Sequence, residues 1–110
     1  MIWTGWTNGA GHQSGAGYGL TVPAADRDRH FDRSWGTVFI ELPSSPHSVV
    51  AEANIDKDAF WTGTCRHLIS KDIGSWMIQA GYAPWPKGFP PKFKVRVAGP
   101  RRFEVVAHQL

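Results

Sequence analysis

The 110-residue chain holds one cysteine, Cys65, so no disulfide can form within it and its fold requires no oxidising compartment. Its apolar residues never gather into a run approaching the ~20 that a membrane-spanning helix needs. No basic stretch followed by an apolar block marks a secretory leader at residues 1–6. These absences lead us to expect a cytoplasmic protein with no membrane partner. The Cys/His pairs of a zinc framework are missing too, since Cys65 and His67 stand two residues apart, which is neither a ligand spacing nor one face of a helix. Gly15-Ala16-Gly17-Tyr18-Gly19 resembles a phosphate loop only in its glycines, because it runs into strand-like Leu20-Thr21-Val22 and carries no Gly-Lys-Ser/Thr opening a helix. His12, His30, His47 and His108 are scattered through loops and ends, and no acid–base pair can be assembled from their spacing. We therefore expect no metal, no cofactor and no catalytic residue, and a binding module sooner than an enzyme.

What the chain does have is aromatic bulk and an uneven charge. Six Trp, six Phe and two Tyr within a 42% apolar composition supply the large buried areas that offset chain entropy. At this length one domain, residues 1–110, is the expectation. The net charge of +3 is concentrated late: residues 84–110 carry Lys87, Lys92, Lys94, Arg96, Arg101 and Arg102 against Glu104 alone. Such an asymmetry points to an anionic partner, nucleic acid or another polyanion, because clustered Lys and Arg attract phosphates.

Strand signals cover 2–6, 18–22, 36–42 and 48–55, with a Gly-rich loop over 7–17 and a Pro-Ser-Ser-Pro connection at 43–46. A short charged helix is expected over 24–33, following Pro23. The three- and four-residue recurrence of Cys65, Leu68, Ile69, Ile73, Trp76, Met77 and Ala80 predicts one long amphipathic helix over 64–80 that buries Cys65, although Ser70 and Gly74 offer a break. Gly81 and Pro84 end it. Pro84-Trp85-Pro86-Lys87-Gly88-Phe89-Pro90-Pro91 then predicts a stiff extended connector with Trp85 and Phe89 pinned on the body. Lys92–Val97 alternates, Phe93, Val95 and Val97 inward and Lys92, Lys94 and Arg96 outward; a turn at Gly99-Pro100-Arg101 would pair Val97 with Phe103 and Arg96 with Glu104, with Val105 and Ala107 also inward. The fold class is α+β: a curved antiparallel sheet or partly open barrel of about six short strands on one long helix, plus the short charged helix.

Two readings compete for the cationic hairpin. In one, Lys87, Lys92, Lys94, Arg96, Arg101 and Arg102 with Trp85 beside them hold a nucleic acid through phosphate contacts and base stacking. In the other, the lysines protect an exposed sheet edge while Trp85 and Phe89 serve as buried hooks. An alternative ligand site combines Gly15, Gly17 and Tyr18 of the loop with Arg27 and Arg29, in a segment (Asp26-Arg27-Asp28-Arg29-His30-Phe31-Asp32-Arg33) otherwise read as a solvated helix with Asp26 pairing to Arg29 and His30. A small-molecule binder or minor enzyme would use that site. A protein-interaction or homodimeric domain would instead expose an apolar patch around Trp3 or Trp35. Alternation puts Trp3 and Trp6 on opposite faces of their strand.

Gly15-Ala-Gly-Tyr-Gly-Leu, Asp26-Arg-Asp-Arg, Phe60-Trp61 and Trp85-Pro-Lys-Gly-Phe-Pro-Pro-Lys-Phe93 together resemble a pattern found in small stand-alone bacterial proteins of unassigned function, some carried on mobile elements. The resemblance implies a free-standing bacterial domain and carries no activity with it.

Overall fold

The computed structural model describes residues 1–9, 12–63 and 65–109. Its strands are β1 (Ile2–Thr7), β2 (Tyr18–Thr21), β3 (Thr37–Leu42), β4 (Val49–Asn54), β5 (His67–Ile69), β6 (Lys92–Gly99) and β7 (Arg102–Gln109), with helices α1 (Ala24–His30), α2 (Asp58–Thr62) and α3 (Lys71–Gln79) and a 3-10 turn at Arg33–Trp35. One sheet contains all seven strands in the order β4-β3-β7-β6-β1-β2-β5. Every pair is antiparallel except β3 with β7. The outermost strands β4 and β5 come into contact, so the sheet curls into a nearly closed barrel. The α+β class is as expected, but with seven described strands and three short helices instead of six strands on one long helix. No helix among the described residues is long and apolar enough to cross a membrane.

Alternation decides what fills the barrel. Trp3, Leu20, Val38, Ile40, Ala51, Leu68, Phe93, Val95 and Phe103 are the inward positions of their strands and all are buried, each large one contributing about 1.5–3 kcal/mol of hydrophobic stabilisation. Trp3 sits at the centre, 5.2 Å from the Phe103 ring and 5.9 Å from Phe31.

The single helix expected over 64–80 is a correction. Residue 64 lies outside the described residues; His67–Ile69 is a strand bonded to β2 with Leu68 opposite Leu20, and α3 begins only after Ser70. The Ser70 hydroxyl accepts from the Asp72 N–H at 3.1 Å, the N-cap geometry that serine favours over a helix interior. Leu68 fits the helical stripe and the inward position of a three-residue strand equally well, so periodicity alone did not separate the two. Cys65 is consequently half-buried ahead of β5, not packed on a helix face. Gly74, at first sight a weak point of α3, is where the helix meets the Gly-rich loop: a Cβ on Gly74 would collide with the Gly15 backbone, and one on Gly15 with the backbone of Lys71 and Ser75.

The segment over 24–33 is shorter and drier than expected. Helix α1 ends at His30, and Arg27 is only 7% exposed. Its Nη1 donates to the Phe60 carbonyl at 2.7 Å, its Nε to Asp28 at 2.9 Å, and its guanidinium lies over the Trp61 ring. A guanidinium is retained in such a place because its donors are satisfied and its flat face stacks. The expected Asp26 pairs give way to Arg27–Asp28 and to Arg33 with Asp56 and Asp58.

The β6–β7 register matches the alternation: Arg96 faces Glu104 and Val97 faces Phe103. Three features do not, the first being Val97, expected inward but 46% exposed beside a second slip in the ladder. A slip in the ladder beyond Val105 turns Ala107 outward. The hairpin is also no edge, because β6 is bonded to β1 and β7 to β3, leaving its lysines no edge to protect.

Candidate functional site

Two proline-framed anchors hold the connector between α3 and β6. At one end Trp85 is half-buried against the core, its ring edge-on to Tyr18 at 5.7 Å. At the other the Gly5 N–H donates to the Pro91 carbonyl at 2.8 Å. Between them the Phe89 N–H donates to the Pro86 carbonyl at 2.9 Å, closing a turn whose third residue, Gly88, has φ +85°. That geometry is the type II turn, which suits glycine because other side chains resist positive φ. The turn is where the structure departs from the expected extended connector, and it throws Phe89 outward. Trp85 is pinned as expected, whereas Phe89 is 75% exposed.

The six cations nominated by the sequence divide into two groups. Lys87 stands on the turn, and Lys92 and Lys94 point outward from β6, all exposed. Among the described residues no carboxylate lies within 4.0 Å of these three amines. Arg96 is already paired with Glu104. At the hairpin tip, roughly 20 Å along β6 from Lys92, Arg101 holds a left-handed φ of +59°. It donates from Nη2 to the Thr37 hydroxyl at 2.8 Å and from Nε to the Thr37 carbonyl at 3.3 Å, with its guanidinium over Phe39. Arg102 lies over the same ring. The tip arginines thus fasten the hairpin to β3, and the uncommitted cations gather at its base.

Trp85 lines two clefts at the base. The larger, about 660 Å³, lies between the connector and the β1–β2 end, walled by Thr7, Asn8, Tyr18, Trp85 and Lys87. The smaller, about 310 Å³, is walled by Trp85 together with Tyr82, Phe89, Lys92 and His108. Tyr18 therefore comes to Trp85 and Lys87 from the alternative ligand group, but its companions do not. Gly17 packs on Asn8 and Gly15 on α3; Arg27 is committed to Phe60, and neither it nor Arg29, exposed on α1, lines the cleft.

Trp3 and Trp6 occupy opposite faces as alternation requires, Trp3 fully buried and Trp6 half-exposed on the outer wall. Trp6 reaches across Gly19 of β2 and stacks on His67 with ring centroids 4.5 Å apart. The His67 Nδ1 is 2.9 Å from the Thr21 hydroxyl. Burial holds this imidazole below its ordinary pKa, aided by the positive charges of Lys57 and Arg66.

Sequence reasoning missed the exposure of Phe89 and the placement of His108. The Lys87-Gly88 pair after Pro86 was a readable turn signal for the first. Adjacent apolar residues Val105-Val106, which break strict alternation, were the only trace of the second. Comparison with known proteins finds no matching family model, no matching curated protein and no matching solved structure.

Proposed function

We propose that the protein is a binding module for single-stranded nucleic acid or a similar polyanion, engaged through Lys87, Lys92 and Lys94 with Trp85 and Phe89. The observation that carries this reading is Phe89, an aromatic ring 75% exposed between Lys87 and Lys92 on a segment held at both ends. Exposing such a ring forfeits the burial that normally stabilises it, and its position beside amines with no carboxylate partner among the described residues suits a flat, negatively charged chain. Proteins that hold single strands combine these two features, cations tracking phosphates and aromatic faces stacking bases. The interior position of β6 and β7 supports the same reading, since edge protection no longer accounts for the lysines.

A second reading draws on the larger cleft, whose volume of about 660 Å³ lies within the range of small-molecule sites. Fluorescence anisotropy with labelled single-stranded DNA, duplex DNA and RNA, across a salt series, separates the two. The proposal expects single strands to bind more tightly than duplex, with affinity falling as salt rises. Absence of binding at low salt overturns it and favours a small ligand in the cleft.

A further inference from the structure

Along β6 and β7 the ladder pairs Val95 with Val105 but Lys94 with Ala107, so Val106 has no residue opposite and is 48% exposed. A bulge of this kind reverses the facing of every residue beyond it. Without it, the alternation that buries Phe103 and Val105 would bury Ala107 and turn His108 out beside Lys92. With it, His108 stands opposite the fully buried Phe93, its ring 5.7 Å from that ring and 4.8 Å from Tyr82.

The re-aimed imidazole becomes part of the wall of the smaller cleft, together with Trp85, Phe89, Lys92 and Gln109. Two aromatic residues, an imidazole, a side-chain amide and an amine-bearing residue therefore line one cleft of about 310 Å³, at the end of the strands where the outward Lys92 and Gln109 neighbour the inward His108. An inorganic anion would use only the ammonium, and an aliphatic ligand only the apolar faces. A planar heteroaromatic ring with a hydrogen-bonding edge and an attached phosphate would use all of them, and a volume at the lower end of the usual ligand range suits one such ring.

We propose that this cleft is a base subsite: one unstacked nucleobase of a bound strand lies against Trp85 and Phe89, His108 and Gln109 meet its edge, and Lys92 meets its phosphate. The proposal rests on the nucleic-acid reading above and adds that the bases, not only the backbone, are held.

The test compares a labelled oligothymidylate of about 12 nucleotides with an abasic deoxyribose-phosphate strand of the same length and charge. The base-bearing strand is expected to bind on the order of tenfold more tightly, the scale of one base stacked on an aromatic side chain. His108→Ala and Phe89→Ala should each bring that ratio close to unity. Phe89→Ala alters a residue outside the core, so it keeps the test valid if His108→Ala fails to fold. Equal affinity for the two strands in the unmodified protein, or a ratio that survives both substitutions, would overturn the subsite while leaving polyanion binding standing. Failure of both strands to bind would overturn both readings.

Discussion

The two ends of the β6–β7 hairpin carry cations in equal number, Lys92 and Lys94 at the base, Arg101 and Arg102 at the tip, yet they are held in opposite ways. At the tip each guanidinium lies over Phe39, and Arg101 also bonds twice to Thr37. At the base the amines have no carboxylate partner among the described residues and stand beside an exposed Phe89. Residue type explains part of the difference. A guanidinium has a planar fork that can stack and donate in several directions, whereas an ammonium is a compact, strongly hydrated charge that gains less from a fixed neighbour. The lesson is that a cluster of positive charge in sequence is not one surface: half of it is engaged by the fold, and the other half has no carboxylate partner among the described residues.

The largest expected effect strikes the base alone. Lys92→Glu with Lys94→Glu should abolish polyanion binding while leaving the melting temperature near that of the unmodified protein, because both side chains are exposed and have no carboxylate partner among the described residues; retained binding would break the contrast. Next comes the tip: Arg101→Ala should lower stability by roughly 1–2 kcal/mol in urea unfolding through its lost hydrogen bonds and ring contact, with polyanion affinity unchanged. Gly88→Ala, forcing a side chain into φ +85°, should cost about 1–2 kcal/mol and weaken binding by displacing Lys87 and Phe89. It sharpens the comparison by showing that the base depends on a rigid turn.

The smallest effect lies off the hairpin. His67 is held below its ordinary value of 6.5 by burial first and by Lys57 and Arg66 second, so the unfolded chain takes up its proton before the folded one does. Its contribution to stability is therefore complete above about pH 6.5 and is lost as pH falls through the lower folded value. A thermal melt repeated from about pH 7 to about pH 5 should fall more steeply for the unmodified protein than for His67→Gln, and parallel curves would contradict this.

Much of the hairpin was legible because strict alternation from Phe93 to Val97 and from Phe103 to Val105 admits one register; Arg96 opposite Glu104 followed from it. The bulge at Val106 was not, since Ala107 is small and apolar enough to suit either face. The division of residues 64–80 into β5 and α3 was hidden because Leu68 satisfies two periods at once, and only the Ser70 cap decides between them. Least legible was the hairpin's place inside the sheet. The β3–β7 and β1–β6 pairings join residues far apart in the chain, and local patterns carry no record of such partners. For the candidate site, Trp85 and Lys92 could be named from sequence, but their meeting with Tyr18 and His108 required the curled sheet that brings these strands together.

We propose that the base of the hairpin and not its tip meets the polyanion. This is tested most directly by the slope of log affinity against log salt for single-stranded DNA in the unmodified protein, in Lys92→Gln/Lys94→Gln and in Arg101→Gln/Arg102→Gln. Each lost phosphate contact should reduce the slope by about 0.7, so the lysine pair should reduce it by about 1.4 and the arginine pair should leave it unchanged. An equal reduction at both ends, or a reduction at the tip alone, would contradict the claim.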